Sequence, residues 1–483
     1  MIRPTMRLRL SLIGLAALLL TGCMVGPDYI KSSVPMTPAY KEAPPPGDGW
    51  KIAQPNDEIS RGNWWEIFGE PQLNALADQV AVANQDLRVA EARFREARAL
   101  IRFNRAAEFP TISTGPSIAS IRDSLHQPYR TSTFTTSDFL LPFDLSYELD
   151  LWGRVRRTVA AARAEAQATA ADLQTALLSL QAELATDYFQ LRSADAQQQL
   201  LNDTVKAYTD FLQLTVNRFE GGAAPKSDVA QAQTQLETTR VQATDIAVQR
   251  AQFEHAIAVL IGQPPATFRL PPAPLNCQPP AIPVGLPSQL LERRPDVAAA
   301  ERRVAEANEQ IGIAQAAFFP TVTLSASAGF EGTPIGNVLM GSSLFWAVGS
   351  SATQILFDAG RRRATSDAAI ANYDATVATY RQTALTAFQQ VEDNLAALRI
   401  LDQEAQQQQQ AVASAQESLQ LFTNRYKGGV DTYLQVVTAQ TFALSNELNA
   451  VNILMRRMNA SVLLIKALGG GWQVADLPSL TEG

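Results

Sequence analysis

Cys23 is the residue of this chain whose neighbours most directly specify a covalent reaction. The tetrapeptide Leu20-Thr21-Gly22-Cys23 resembles the bacterial lipobox, in which small residues give a peptidase access to the backbone and the thiol accepts a diacylglycerol before cleavage. Arg3, Arg7 and Arg9 precede an apolar stretch over residues 10–20, which is too short for a permanent membrane span and fits an export signal. Residues 1–22 are therefore expected to be a lipoprotein signal peptide, leaving Cys23 as the acylated first residue. The alternative is an ordinary secretory signal whose cleavage zone contains a cysteine. Met24 stands where an aspartate would retain a lipoprotein at the inner membrane, so outer-membrane delivery is the default.

Other chemistry finds little material. His126 and His255 are the only histidines and lie far apart in the sequence, which leaves no basis for a metal site or a catalytic triad. Lys226-Ser227 follows Gly221-Gly222, but Pro225 stands where a phosphate loop needs its glycine, so nucleotide binding is not expected. The seven methionines form no cluster that would carry copper or silver. Cys277, in a proline-rich stretch, reads as a bystander thiol, and no disulfide is open to it once Cys23 is acylated. The net charge is −7, and removing the three signal-segment arginines takes it to −10, which argues against nucleic-acid binding. The chain reads as a non-enzyme without a cofactor beyond the lipid on Cys23.

The positioning elements are duplicated. Phe109-Pro110-Thr111-Ile112 recurs as Phe319-Pro320-Thr321-Val322. Asn217-Arg218-Phe219-Glu220-Gly221-Gly222 recurs as Asn424-Arg425-Tyr426-Lys427-Gly428-Gly429, 207 residues on. The segments Arg154–Glu220 and Arg361–Lys427 lack glycine and proline and are rich in alanine, glutamine, leucine and glutamate, which predicts two helices of roughly 100 Å each. Leu173, Leu177, Leu180, Leu184, Tyr188 and Leu191 keep three- and four-residue spacing and supply a packing seam. After each long helix a Gly-Gly turn leads into a second helix, with Asp228 or Asp431 expected as its N-cap, ending near Gly262 or Gly469. Shorter helices are expected over 84–108 and 296–318.

Between these helices the pattern changes to period two. Phe139, Leu141, Phe143, Leu145, Tyr147 and Leu149 alternate with mostly polar residues, as do Val322, Leu324, Ala326, Ala328 and Phe330. Residues 111–122 and 343–357 are weaker strand candidates, giving one hairpin per repeat. No apolar run of the mature chain suffices for a transmembrane helix, so a spanning element must be a closed barrel. Four strands cannot close, because known single-chain barrels begin at about eight; three copies would supply twelve. A small soluble sheet with one face on a helix layer is the competing reading.

Several motifs together resemble the TolC-type outer-membrane efflux proteins, in the lipoprotein (NodT-like) branch that serves resistance-nodulation-division pumps. They are Leu291-Glu292-Arg293-Arg294-Pro295-Asp296-Val297 continuing to Glu301, Phe143-Asp144-Leu145-Ser146-Tyr147-Glu148-Leu149-Asp150-Leu151-Trp152-Gly153-Arg154, Gly26-Pro27-Asp28-Tyr29 and Trp64-Trp65. The resemblance, running from Cys23 to about Gly469, implies a mainly α-helical, duplicated chain. Its homotrimer would form a twelve-stranded outer-membrane β-barrel continued by a long periplasmic α-helical barrel. It implies a passive exit duct for drugs or other small toxic compounds, opened by a periplasmic adaptor (membrane fusion) protein and powered by an inner-membrane resistance-nodulation-division transporter.

The resemblance also assigns residues. Gly221, Gly222 and Ala223, with Gly428, Gly429 and Val430, would form the adaptor-contacting tips, although a Gly-Gly turn also ends any such hairpin. Leu434 matches a leucine of the family's periplasmic gate, whereas Thr438 replaces its aspartate, leaving Asp431 as the candidate acidic ring or as a helix cap only. The expected organisation is a signal peptide (1–22), an N-terminal extended and equatorial segment (23–83), and a first repeat (84–263) with its hairpin at 111–150. A proline-rich linker (264–290), a second repeat (291–469) with its hairpin at 321–357, and a tail (470–483) follow. The alternatives are a lipid-anchored periplasmic coiled-coil scaffold or, among ducts, metal-ion efflux or type I secretion, the last disfavoured because that branch usually lacks a lipobox.

Overall fold

Uninterrupted helix over 67 residues requires a sequence free of breakers and a stop at each end, and the chain supplies this twice. The structure, a computed structural model, describes residues 24–35, 37–42, 63–122, 124, 126, 133–282 and 292–480. The signal segment, Cys23 and Leu291 lie outside the described residues. In chain order the helices are α1 (Pro71–Ala83) and α2 (Gln85–Arg105), then α3 (Arg154–Glu220), α4 (Lys226–Leu260), α5 (Pro295–Ala316), α6 (Arg361–Lys427) and α7 (Tyr433–Ala467). The strands are β1 (Thr111–Thr114), β2 (Ser117–Arg122), β3 (Thr135–Leu149), β4 (Thr321–Gly332) and β5 (Leu344–Thr353). No helix among the described residues is long and apolar enough to cross a membrane.

Each long helix starts on an aspartate that closes its orphan N–H groups. Asp150 accepts from the Val155 and Arg156 amides at 3.0 and 2.9 Å. Asp358 accepts from the Gly360 and Arg362 amides at 3.1 and 3.2 Å. The negative charge also complements the positive end of the helix dipole. The expected caps at the hairpin tips are not found: α4 begins after Pro225 and α7 after Thr432, neither with a side-chain cap. Asp228 lies inside the first turn of α4, and Asp431 precedes α7, accepting from the Thr432 amide while paired to Arg425.

The helices form a layer in which α2 packs on α3, α3 on α5 and α5 on α6, while α4 and α7 fold back along α3 and α6. The main apolar core lies where the repeats and the N-terminal region meet, around Trp64, Leu73, Leu184, Phe189, Ile257, Val304, Val391 and Ile465. Residues 64–68 form a 3-10 turn and 71–83 a helix, so this part of the expected extended segment is helical; Leu73, Leu76, Ala77 and Val80 drive it by packing one face into that core. The described part of the proline-rich linker, residues 264–282, has little regular structure beyond a 3-10 turn at Pro265–Thr267 but is tied down. Buried Asp195 pairs with Arg192 and Arg250 and accepts from the Ala273 amide at 3.0 Å, while both arginines donate to linker carbonyls at Pro271 and Leu270. In the second repeat, buried Arg294 binds Asp296, Gln390 and the Ala467 carbonyl, joining α5, α6 and α7.

Asp187 on α3 sits in an unfavourable setting. Burial, reinforced by Glu183, pushes its carboxyl up to about 6. A raised carboxyl in the folded state binds more protons than in the unfolded chain between about pH 4 and 6, so it favours folding below that window and lowers stability as pH rises through it. Asp187→Asn is expected to raise the unfolding temperature at pH 8 and to leave it nearly unchanged at pH 4, read by thermal scans of the detergent-solubilised protein.

The strands form one antiparallel sheet in the order β1-β3-β4-β5, with β2 also on β3. The expected strand at 111–122 is broken at Gly115-Pro116, because proline has no N–H for the ladder. The register continues across the gap: Thr114 faces Phe143 and Ser117 faces Leu140. The last strand ends at Thr353, so residues 354–357 are not part of it as expected. Pairing of β3 with β4, from Phe139 opposite Gly332 to Leu149 opposite Val322, sews the two repeats together. The β1/β2 and β5 edges are left open.

Candidate functional site

Two regions of the fold are organised for something outside the single chain: the uncovered sheet and the hairpin tips. The register aligns Ile112, Ile118, Phe139, Leu141, Phe143, Leu145, Tyr147, Val322, Leu324, Ala326, Ala328, Phe330, Leu344, Trp346 and Val348 on one face. The other face carries Ser113, Asp144, Ser146, Glu148, Thr323, Ser325, Ser327, Glu331 and Ser351. No helix among the described residues covers the apolar face: Ile112 is 70% exposed, and Trp346 and Val348 are each 74% exposed. A soluble sheet resting on a helix layer would bury these side chains, so their exposure overturns that reading.

At the far end, each helical hairpin reverses through the same hydrogen-bond pattern. The Ala223 amide donates to the Arg218 carbonyl at 2.8 Å and the Gly222 amide to Phe219 at 2.9 Å; Val430 and Gly429 repeat this on Arg425 and Tyr426 at 3.0 Å each. Only the second glycine of each pair needs to be glycine for its backbone: φ is +77° at Gly222 and +75° at Gly429, against −79° at Gly221. Gly222→Ala is expected to cost about 1 kcal/mol at the tip and Gly221→Ala less, measurable as faster amide exchange over residues 217–227.

A side chain of the first hairpin closes the end of the second. Arg218 Nη1 donates to the Tyr426 and Lys427 carbonyls at 2.8 and 3.1 Å, at the C-terminal end of α6, where the Tyr426 carbonyl also accepts from the Gly429 amide. Its guanidinium lies 4.6 Å from the Tyr426 ring centre. Below it Tyr426, Tyr433, Phe211 and Val436 form a small core shared by α3, α6 and α7. Arg425, the equivalent of Arg218 in the second repeat, instead pairs with Asp431 at 2.9 Å on the surface. The clasp joins positions 208 residues apart, and the repeated Asn-Arg-aromatic motif was the only sign of it in the sequence.

Leu434, Thr438 and Phe442, spaced by four, occupy an exposed stripe of α7, opposite the buried Tyr433, Val436, Gln440 and Ala443. Leu434 is 55% and Phe442 61% exposed. The Thr438 hydroxyl donates to the Leu434 carbonyl at 2.9 Å, so this level carries no charge from its own side chain. Asp431 and Val430 stand one turn nearer the tip. Phe442 was not singled out from the sequence, although its spacing from Leu434 places it on the same stripe. Cys277 is away from both regions, its thiol pushed up to about 11 by burial and by Glu70, which makes it a poor nucleophile.

This architecture has close counterparts. The sequence pattern of the family described as Outer membrane efflux protein matches residues 76–263 and 286–470. The toluene efflux pump outer membrane protein TtgC of Pseudomonas putida is 32% identical over 467 residues, 96% of each chain. The pyoverdine export outer membrane protein OpmQ of Pseudomonas aeruginosa is 31% identical over 471 residues, 96% of this chain and 97% of that one. Among solved structures, the outer-membrane channel OprN superposes with a TM-score of 0.85 at 32% identity, covering 93% of this chain and all of that one.

Proposed function

The chain belongs to the outer membrane efflux protein family, and from that premise we propose that three copies pool their strands into one barrel and act as the passive exit duct of a tripartite pump. It is an outer-membrane efflux channel that extends into the periplasm. The observation that carries the trimeric duct is the sheet, four strand positions wide, with an uncovered apolar face and two open edges. In lipid every backbone polar group must be paired, so an open sheet is untenable there and closure by further copies relieves it. Twelve strands make a barrel of ordinary size for the outer membrane.

In this reading Cys23 carries the lipid, and the tips at Gly221, Gly222, Ala223 and Gly428, Gly429, Val430 meet a periplasmic adaptor. An inner-membrane resistance-nodulation-division transporter supplies the energy. Leu434, with Phe442 on the same stripe, narrows the periplasmic aperture; Asp431 contributes negative charge at its rim, and Thr438 leaves the next level neutral. The duct performs no catalysis. The relatives differ in cargo, toluene for one and pyoverdine for another, which fits a conduit whose selectivity is set upstream, and the proposed cargo is small toxic organic compounds. The test is direct: protein extracted in mild detergent should run as a trimer and conduct ions across planar bilayers, and a deletion strain should lose tolerance to a set of small organic toxins. A monodisperse, non-conducting single subunit would instead fit a lipid-anchored scaffold.

A further inference from the structure

The first described residues do not trail from the protein; they are locked into it. The Val25 amide donates to the Trp152 carbonyl at 3.1 Å, and Arg157 Nε donates to the Val25 carbonyl at 2.6 Å. Arg157, on the first turn of α3, is 0% exposed and also pairs with Glu309 of α5 at 2.8 Å. Its Nη2 has no partner among the described residues, so the strap carbonyl is one of two acceptors held by this buried charge. Asn308 Nδ2 donates to the Pro27 carbonyl at 3.1 Å, and the Tyr29 hydroxyl donates to Glu301. Glu301, Asn308 and Gly312 lie along one side of α5 at seven- and four-residue spacing. The strap crosses α5 backbone to backbone: a Cβ on Gly26 would stand 2.6 Å from Gly312 Cα, and a Cβ on Gly312 would stand 2.2 Å from Arg157 Cδ.

This clamp sits at the junction of strands and helices. Met24 packs on the bare face of Gly153. Trp152 stacks on Phe319 at 4.7 Å and donates its Nε1–H to the Pro320 carbonyl at 2.8 Å, tying the end of β3 to the start of β4. Phe109, Phe318, Phe319 and Phe357 are exposed at the same strand ends, the arrangement of an aromatic girdle at a membrane surface.

We propose that Arg157 is the positioning residue of the membrane anchor: with α5 it fixes residues 25–29, so that acyl chains attached just upstream leave the protein at the girdle and enter the adjoining leaflet. The proposal rests on acylation of Cys23. One residue of chain spans at most about 4 Å, so the backbone of an acylated Cys23 would stay within that reach of Met24. The same clamp joins α3 of the first repeat to α5 of the second, holding the helix layer still beneath the barrel.

A nitroxide on the exposed position 28 (Asp28→Cys, with Cys277→Ser) in the full chain, reconstituted into phospholipid nanodiscs, reads the clamp. The spectrum should be immobilised, and Arg157→Ala should convert most of it to the fast-motion component, with Arg157→Lys restoring part of the slow one. Should the arginine variant fail to assemble, Gly26→Val evicts the strap by its clash with Gly312 and should give the same conversion. A mobile label in the otherwise unaltered protein, or an immobile one after both substitutions, would overturn the proposal. Mass spectrometry of the N-terminal peptide separates the two readings: an unacylated Cys23 removes the anchor, whereas an acylated Cys23 on a mobile strap removes only the clamp.

Discussion

Val348→Arg is expected to abolish membrane-embedded, heat-modifiable trimers. Val348 lies near the middle of β5 on the apolar face, opposite Ala326. An arginine facing lipid at the midplane of a barrel costs about 2–4 kcal/mol, and a trimer would incur it three times. That is comparable to the whole stability of a typical folded domain, about 5–15 kcal/mol. Ala347→Arg, one residue away on the polar face, should be tolerated, because its side chain would enter water in the lumen. Gel assays of heated and unheated membranes, with and without urea extraction, read both. The reverse pattern would mean that the faces are assigned the wrong way round.

Arg218→Ala is expected to open the periplasmic end without harming assembly. The variant loses charge-assisted hydrogen bonds to two α6 carbonyls and a contact with Tyr426. About 2 kcal/mol is a reasonable figure for a partly exposed clasp of this kind, equivalent to roughly a thirtyfold shift per subunit between joined and separated hairpins. Single-channel records should show longer and larger openings, and cells should admit hydrophilic antibiotics normally excluded by size. Arg218→Lys keeps the charge and one donor and should fall between. Unchanged conductance in Arg218→Ala would show that the hairpins do not part along this contact.

The long helices and the reversals were legible in the sequence because they depend on local rules: the absence of glycine and proline from Arg154–Glu220 and Arg361–Lys427, and a glycine able to take positive φ just after each. The sheet's alternation was equally local. What failed was capping. Asp228 and Asp431 looked equivalent because each follows a Gly-Gly pair, yet the 207-residue offset sets Asp431 against Ala224. The aspartates that do cap, Asp150 and Asp358, differ by 208, so a one-residue slip between the repeats concealed them. The break between β1 and β2 was written in Pro116, but its harmless effect on register depends on β3, far along the chain.

Long-range contacts were the other blind spot. The Arg218 clasp and the Gly26–Gly312 crossing join residues more than 200 positions apart, and nothing local marks either. The tip glycines, Leu434, Asp431 and Thr438 could be located from the motifs, and the fold places Leu434 and Thr438 on a common stripe with Phe442. Their action on an aperture depends on copies meeting around an axis, which is a property of the assembly and not of one chain.

Closure between copies is the claim from which the barrel, the duct and the aperture all follow. Paired cysteines on the two open edges test it most directly: Ser113→Cys or Ala119→Cys on β1/β2, combined with Gly349→Cys or Ser351→Cys on β5, all on the polar face, in a Cys277→Ser background. Oxidation in native membranes should yield covalent dimers and trimers in at least one pairing and no larger species. Cross-links confined within single chains, or none in any pairing, would contradict a barrel built from shared strands.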